Sequence, residues 1–376
     1  MDRYYFSCLL QAVACVLLVS FATYMYSDFT SAFATPPIRR QLRSHRKAPQ
    51  NTRVFASTTC ASHDVIEMRS FRVRSTTEML QASNSRSIHA AAVTPQTASA
   101  ATSSQLQVAI SLGVTSKGSS WKTKDEISRS FPFFNTLMPS FCKTVTSGVA
   151  DFHFFAAFDE QDQFFSNAKN LCDFVDLFHQ MSRSHCSQMK AGELNLHFVH
   201  CSHNKRPAWA QNDASWAAYL MGMEYFYRIN DDSMFISKLW LQQFIKTLQK
   251  FEPKNLGVVG PNHQGGNVAI LTYDFIHKTH IEMFGFHYPR AFVNWAGDTW
   301  ITLVYAPGKM EKLTNIQLKH TLEKGQRYKQ VAWSSEKMKP ILDSGKRQIE
   351  RFVTLRLRNI RYTCTCTCSR HVVTLA

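Results

Sequence analysis

The sequence predicts an α/β fold in which a mostly parallel mixed sheet is flanked by helices. Three observations lead there. Short apolar runs rich in aromatic and β-branched residues recur along the middle of the chain. Between them lie segments whose apolar residues repeat at three and four. The 376 residues are enough for one large domain with a substantial core, which excludes a small disulfide-stapled scaffold. Strand, helix, strand, repeated, is the pattern of a parallel sheet covered on both faces.

The strand-like runs are Gln107 to Leu112, Phe152 to Phe158, Leu194 to His200, Glu224 to Ile229, Leu256 to Gly260 and Asn267 to Thr272. The helical stripes are Phe134, Leu137, Met138, Phe141 and Val145; then Phe164, Ala168, Leu171, Val175 and Phe178. Trp209, Trp216, Tyr219, Leu220 and Met223 form a third, and Trp240, Phe244, Leu248 and Phe251 a fourth. These stripes read as core. In open α/β sheets, ligands bind beyond the carboxyl ends of the strands, so chemistry is expected in the segments that follow them.

The net charge of +16 suggests a polyanionic partner only until it is divided along the chain. Residues 38–74 carry +7 and residues 308–376 carry +10, while the region between them is about neutral. Basicity therefore belongs to the flanks, and the neutral middle argues against nucleic acid as a partner. Residues 1–34 read as a signal peptide or signal anchor, with an uncharged apolar stretch over 8–26 about long enough to span a bilayer. An anchor would tie the chain to a membrane. The small residues Ala32 and Ala34 suit cleavage, whereas Arg39, Arg40, Arg43, Arg46 and Lys47 follow the apolar stretch, opposite to the positive-inside pattern for an uncleaved anchor. Either reading predicts entry into the secretory pathway and a lumenal domain at the Golgi or ER membrane. Residues 35–104 read as a disordered basic stem rich in Ser and Thr, 105–330 as the folded domain, and 331–376 as a basic extension. Cys142 and Cys172 sit on apolar helix stripes, which favours free buried thiols, and nothing selects a disulfide pairing. The Cys364, Cys366, Cys368 run does not have zinc-finger spacing.

The run Tyr225 to Ile229 ends abruptly in Asn230, Asp231 and Asp232. Adjacent carboxylates at a strand end are costly unless a cation or donors compensate, which makes them candidate hard ligands for a divalent metal. The same residue types also build turns and helix N-caps. Asp298, in NWAGDTWI, is an acid in an aromatic setting that raises carboxylate basicity, and it also precedes an apolar helical run that it would suit as an N-cap.

Asn230-Asp231-Asp232 resembles the DxD-type motif of glycosyltransferases with the GT-A fold. The resemblance continues through Gly257-Val258-Val259-Gly260-Pro261, Gly266 to Thr272, Tyr288-Pro289, Asn294 to Ile301, and His320 followed by Arg327-Tyr328. It covers roughly residues 105–330 and implies a GT-A-like, Rossmann-like catalytic domain. The implied activity is sugar transfer from a nucleotide diphosphate sugar donor to a glycan, lipid or protein acceptor, with Mn²⁺ or Mg²⁺ as cofactor. The implied metal ligands are Asp231, Asp232 and the late histidine His320, and the implied catalytic base is Asp298. The sequence departs from the pattern at Thr299, where a second acid often stands.

Donor-side candidates are Asn230, Thr115 after the first strand, Asp159 after the second, and Lys205 with Arg206, whose charges suit a diphosphate. Asn212 matches a position at which related enzymes touch the nucleotide. Asn267, Trp295 and Trp300 are the acceptor-side candidates, the tryptophans as stacking platforms. Two other classes use the same residues: a catalytically weakened sugar- or nucleotide-binding relative, which Thr299 favours, and a metal-dependent nucleotide-sugar hydrolase.

Overall fold

The fold is that of a computed structural model, which describes residues 53–56, 68–69, 105–265, 267–321 and 333–367, with side chains over 105–265, 267–321 and 333–356. The apolar stretch 8–26, Gly266, Arg327, Tyr328 and the side chains of the terminal cysteines lie outside the described residues. No described helix is long and apolar enough to cross a membrane.

Among the described residues, ten strands form one sheet: β1 (Arg53–Ala56), β2 (Met68–Arg69), β3 (Leu106–Gly113), β4 (Ala150–Phe158), β5 (Leu194–His200), β6 (Tyr225–Arg228), β7 (Ser233–Phe235), β8 (Val258–Gln264), β9 (Phe275–His277) and β10 (Met310–His320). Their spatial order is β2-β1-β5-β4-β3-β6-β9-β8-β10-β7. The central β5-β4-β3-β6 block is parallel, as is β8 with β10; β9, β7 and β1 pair antiparallel with their neighbours. The helices are α1 (Lys124–Ser130), a π-helical turn (Phe133–Leu137), α2 (Met138–Thr144), α3 (Ala168–His185), α4 (Pro207–Leu220), α5 (Trp240–Leu248), α6 (Lys278–Phe284), α7 (Gly297–Tyr305) and α8 (Ser335–Thr367). A mixed α/β sheet flanked by helices is thus what the alternating pattern specified.

Alternation along each central strand divides the core between two faces. Val108, Ile110, Leu112, Phe152, Phe154 and Phe158 point to one cluster, where α1, α2, α3 and α5 pack. Ala109, Phe155, Ala157 and Phe226 point to the other, beneath α4, α6, α7 and α8. The first face is dominated by phenylalanines, with Phe134 and Phe174 at 4.5 Å and Phe133 edge-on to Phe154 at 5.8 Å between ring centroids. Cys142 is joined there to Cys186 in a disulfide between α2 and the end of α3. This corrects the expectation of a free thiol at Cys142; Cys172 and Cys201 are free.

Three further differences from the sequence reading have local causes. Asn267 to Thr272 is not a strand: the Asn267 side chain accepts from the Ala269 amide at 3.1 Å, and its carbonyl accepts from the Thr272 hydroxyl at 3.3 Å. Asx-turn bonding of this kind competes with strand pairing, so the strand forms three residues later, as β9. The helix α1 is opened by a capping box, in which Thr123 accepts from Glu126 N–H and Glu126 accepts from Thr123 N–H. The long strand β10 escaped notice because a register shift between Leu313 and Gln317 breaks its alternation.

Helix α8 carries the folded unit past residue 330. Met338 and Ile349 are buried in the second cluster, the Gln348 amide reaches the Met283 carbonyl, and Arg356 lies 3.8 Å from Glu282. Gly345 is required at the crossing with α7, because a Cβ there would stand 2.7 Å from Val304 and 3.1 Å from Trp300. The start of the segment set apart as an extension is therefore packed on the domain. Strands β1 and β2 fall within the segment read as stem, with β1 extending the sheet beside β5.

Candidate active site at the strand ends

The centre of the site is the exit of β6. This strand runs parallel to β3 with apolar residues on both faces, and it ends at Arg228. A tight turn then reverses the chain: the Asn230 amide donates to the Ser233 hydroxyl at 3.1 Å and the Ser233 amide to the Asn230 carbonyl at 3.2 Å. Asp231 and Asp232 lie in this turn, both 3 % exposed. The turn feeds β7, whose antiparallel register with β10 sets Ser233 opposite His320.

That register brings a late residue to the acids. His320 Nε2 lies 3.3 Å from Asp232 Oδ1, and Thr321 donates to the Asp232 carbonyl from its hydroxyl at 2.7 Å and its amide at 3.2 Å. The Tyr273 ring stands edge-on to His320 at 6.2 Å. Burial, reinforced by the Asp232 charge, pushes the Tyr273 phenol well above its ordinary range and keeps it neutral. Asp231 does not join Asp232 and His320: the one group of three or more potential ligands within 4.8 Å of one another, among the described residues, is Cys201, His203 and Asp213.

Arg228 links the acid turn to Asp298. Its guanidinium donates to the Gln211 amide oxygen at 2.7 Å and to the Thr272 carbonyl, and it is held charged by Tyr288, Asp274 and Asp298. Asp298 lies in the first turn of α7, but it does not cap the helix. Ala296 does so in the left-handed region (φ 76°), and Gly297 passes so close to the Tyr288 ring that a Cβ would meet it at 2.8 Å. Burial raises the Asp298 pKa, and Arg228 and the Thr299 amide, donating at 2.8 Å, pull the other way. A basic carboxylate next to a fixed cation results.

Behind Arg228 lies a sealed relay. The His287 ring is 2.9 Å from the Ser215 hydroxyl and 2.5 Å from Asp274, which also accepts from the Tyr288 hydroxyl. Ser215, His287 and Asp274 are 0 % exposed, so this Ser-His-Asp chain has no path to a substrate and serves to hold the 286–289 loop. Asn212 belongs to the same structure. Its side chain accepts from the His287 and Tyr288 amides and donates to the Tyr288 carbonyl, which consumes the amide meant for the nucleotide. The donor role expected of Asn212 is corrected accordingly.

On the other side of the central strands, Thr115 and Ser116 follow β3 and are bound by Asp162. Its carboxylate accepts from the Thr115 hydroxyl at 3.1 Å, the Ser116 amide at 2.8 Å and the Ser116 hydroxyl at 2.6 Å. Asp159 accepts from the Lys205 amide at 2.7 Å, and burial raises its pKa. The Arg206 guanidinium carbon sits over Trp209, 4.1 Å from the ring centre, with that of Arg290 at 5.1 Å. Thr115 and Asp159 thus follow β3 and β4, and Lys205 and Arg206 lie between β5 and the start of α4.

The acceptor-side candidates separate. Trp295 is 36 % exposed and Asn267 lies in the turn described above. Trp300 is 1 % exposed and packed against Phe284, Phe286 and His280, so it is a core residue and not a sugar platform. It sits on the inward stripe of α7, a position that helical spacing could have revealed. Sequence reasoning missed Arg228, Asp162 and Tyr273. A charged residue inside an apolar strand was the available signal for Arg228.

No family model matches the chain, and no curated protein matches it. Solved structures do. Residues 1–349 of TarS from S. aureus in complex with UDP-GlcNAc align at 12 % identity and a TM-score of 0.40, covering 66 % of this chain and 66 % of that one. S. aureus TarS aligns at 11 % identity and TM-score 0.38, covering 58 % of this chain and 37 % of that one. TarS 1–349 in complex with UDP aligns at 10 % identity and TM-score 0.36, covering 57 % and 60 %. At these values, function has to be argued from the residues of this chain.

Proposed function

We propose that this chain is a GT-A-like, metal-dependent glycosyltransferase that moves a sugar from a nucleotide diphosphate donor to a glycan, lipid or protein acceptor. The observation that carries the reading is the β7–β10 register, which brings His320 to 3.3 Å from Asp232 at the exit of the central strand. An oxygen and an imidazole nitrogen at that separation fit a divalent cation of the Mn²⁺ or Mg²⁺ class, and Asp231 would act through a bridging water. When bound, the metal would neutralise charge on the departing diphosphate.

The chain's own groups supply the rest. Thr115 and Asp159 line the nucleoside side of the sheet, and Lys205 and Arg206 offer positive charge to the diphosphate. Asp298, raised in basicity by burial, takes the proton from the acceptor hydroxyl, and the Arg228 charge favours its ionised form. Trp295 presents an exposed face to the acceptor sugar. The apolar stretch 8–26 would deliver this domain to the lumen of the secretory pathway. Thr299 in place of a second acid favours one other reading, a relative that binds donor without turnover.

The test is release of nucleoside diphosphate from a panel of nucleotide sugars, with and without Mn²⁺ and with candidate acceptors. Metal-dependent release that requires acceptor supports the transferase. Release without acceptor would identify a hydrolase, and metal-dependent donor binding without release would identify the non-catalytic relative.

A further inference from the structure

A second cluster of metal-ligating side chains lies apart from the Asp232 turn. Cys201 and His203 follow β5 directly, and Asp213 projects from the second turn of α4. The segment 201–206 is thereby folded back against the helix it leads into. One ligand atom from each residue lies within 4.8 Å of the other two. His203 Nε2 is 3.2 Å from Asp213 Oδ2, and the other Asp213 oxygen is 3.8 Å from Arg290. Cys201 is 0 % exposed, Asp213 3 % and His203 9 %, and the second ring nitrogen of His203 is buried with no hydrogen-bond partner. Asp159, at the end of β4, acts electrostatically on both Cys201 and His203.

We propose that Cys201, His203 and Asp213 form a site for a borderline-soft divalent cation of the Zn²⁺ class, which ties the 201–206 segment to α4. Bonds of about 2.0–2.3 Å to a tetrahedral zinc set its ligand atoms about 3.3–3.8 Å apart, so the cluster needs only small side-chain rotations to close on the ion. Sulfur and imidazole donors select zinc over the hard cations that suit Asp232. On binding, the Cys201 thiol proton, and any proton carried by His203, leave to solvent. The thiolate and the Asp213 carboxylate then balance the two positive charges, while Arg290 remains on the outer carboxylate oxygen. Three protein ligands leave a fourth position for water. The consequence is mechanical: the ion holds in place the segment that carries Lys205 and Arg206.

The experiment uses the full chain, stripped with chelator and titrated with Co²⁺ as a spectroscopic stand-in for Zn²⁺. The expected result is a thiolate-to-cobalt charge-transfer band that saturates at one equivalent and is displaced by Zn²⁺. Cys201→Ser should abolish the band. Asp213→Asn, which keeps the thiol, should weaken cobalt binding by at least the ~10–100-fold seen when outer-shell partners are lost. Combined replacement of Cys364, Cys366 and Cys368 by Ser should leave the band in place, and so should Asp232→Ala. Zn²⁺ should also raise the melting temperature of the wild type and not that of His203→Gln. No thiolate band in the wild type, a band that survives Cys201→Ser, one lost with the C-terminal cysteines, or unchanged affinity in Asp213→Asn would each overturn the proposal.

Discussion

Two of the aspartate–histidine pairs, Asp274–His287 and Asp232–His320, differ mainly in what surrounds them. Asp274 and His287 stand 2.5 Å apart with both side chains 0 % exposed, and Ser215 and Tyr288 complete their hydrogen bonding. Asp232 and His320 stand 3.3 Å apart at the strand exit, with side chains 5 % and 15 % exposed. The first pair spends its hydrogen-bonding capacity on the protein and fixes a loop. The second is looser and its side chains are slightly more exposed, although the facing atoms, Asp232 Oδ1 and His320 Nε2, are themselves buried. Chemical identity alone would not have told them apart.

The sharpest way to break this comparison is to remove the acid from each pair. Asp274→Ala leaves a buried imidazole and a tyrosine hydroxyl without their partner and removes a charge that favours Arg228, and should cost about 3–5 kcal/mol in urea unfolding. Asp232→Asn should change stability by less than about 1 kcal/mol, because its charge serves a ligand more than the fold. It should nonetheless abolish metal-dependent turnover. Equal destabilisation by the two variants would mean that Asp232 is structural as well.

Asp298 tests whether the strand-exit side of the comparison includes a base. Asp298→Asn should lower transfer by about 10²–10⁴-fold, the usual range for loss of a general base, with donor affinity little changed. In the wild type, the acidic limb of the rate profile should lie above the ordinary carboxylate range, since burial raises the Asp298 pKa and the base must be ionised to act. Parallel loss of donor binding and turnover would assign Asp298 to the fold.

Sealed histidines make a prediction about pH. Burial lowers the pKa of His280 to about 3, while the unfolded chain holds it near 6.5, so only the unfolded state takes up the proton between those values. The stabilisation from keeping His280 neutral is complete above about pH 6.5 and falls away as pH drops towards 3. His280→Asn, measured by thermal unfolding across pH 4–8, should flatten that slope. An unchanged slope would show that other groups carry it. The smallest effect is that of Trp295→Ala, which should raise the acceptor KM a few-fold and leave stability within about 0.5 kcal/mol. Trp300→Ala should do the reverse, destabilising the core by about 3–5 kcal/mol.

Much of the fold was legible because the central strands and helices keep one period over many residues. Val108, Ile110, Leu112 and Phe152, Phe154, Phe158 announce a two-faced sheet without reference to anything distant. The acids at Asp231 and Asp232 were legible for the same reason, as an abrupt polar end to an apolar strand. What the sequence could not convey was pairing at long range. The Asn267 turn looked like a strand because its apolar residues hide a side-chain bond to the backbone. Asn212 looked like a ligand contact because the 287–288 amides that consume it lie 75 and 76 residues away. The Cys142–Cys186 bridge and the Cys201 cluster depend likewise on which segments meet.

The antiparallel seam between β7 and β10 also bears on the order of folding. His320 and Asp232 are 88 positions apart in sequence, and the strand that carries the histidine is the last one among the described residues. Closing so long a loop is slow and waits on the sheet that β10 must join. On the proposed metal role, affinity for a divalent cation at Asp232 would appear only when synthesis has passed residue 320 and β10 has docked. In refolding, metal binding would then serve as a clock for completion of the sheet, lagging the signals from the phenylalanine-rich face.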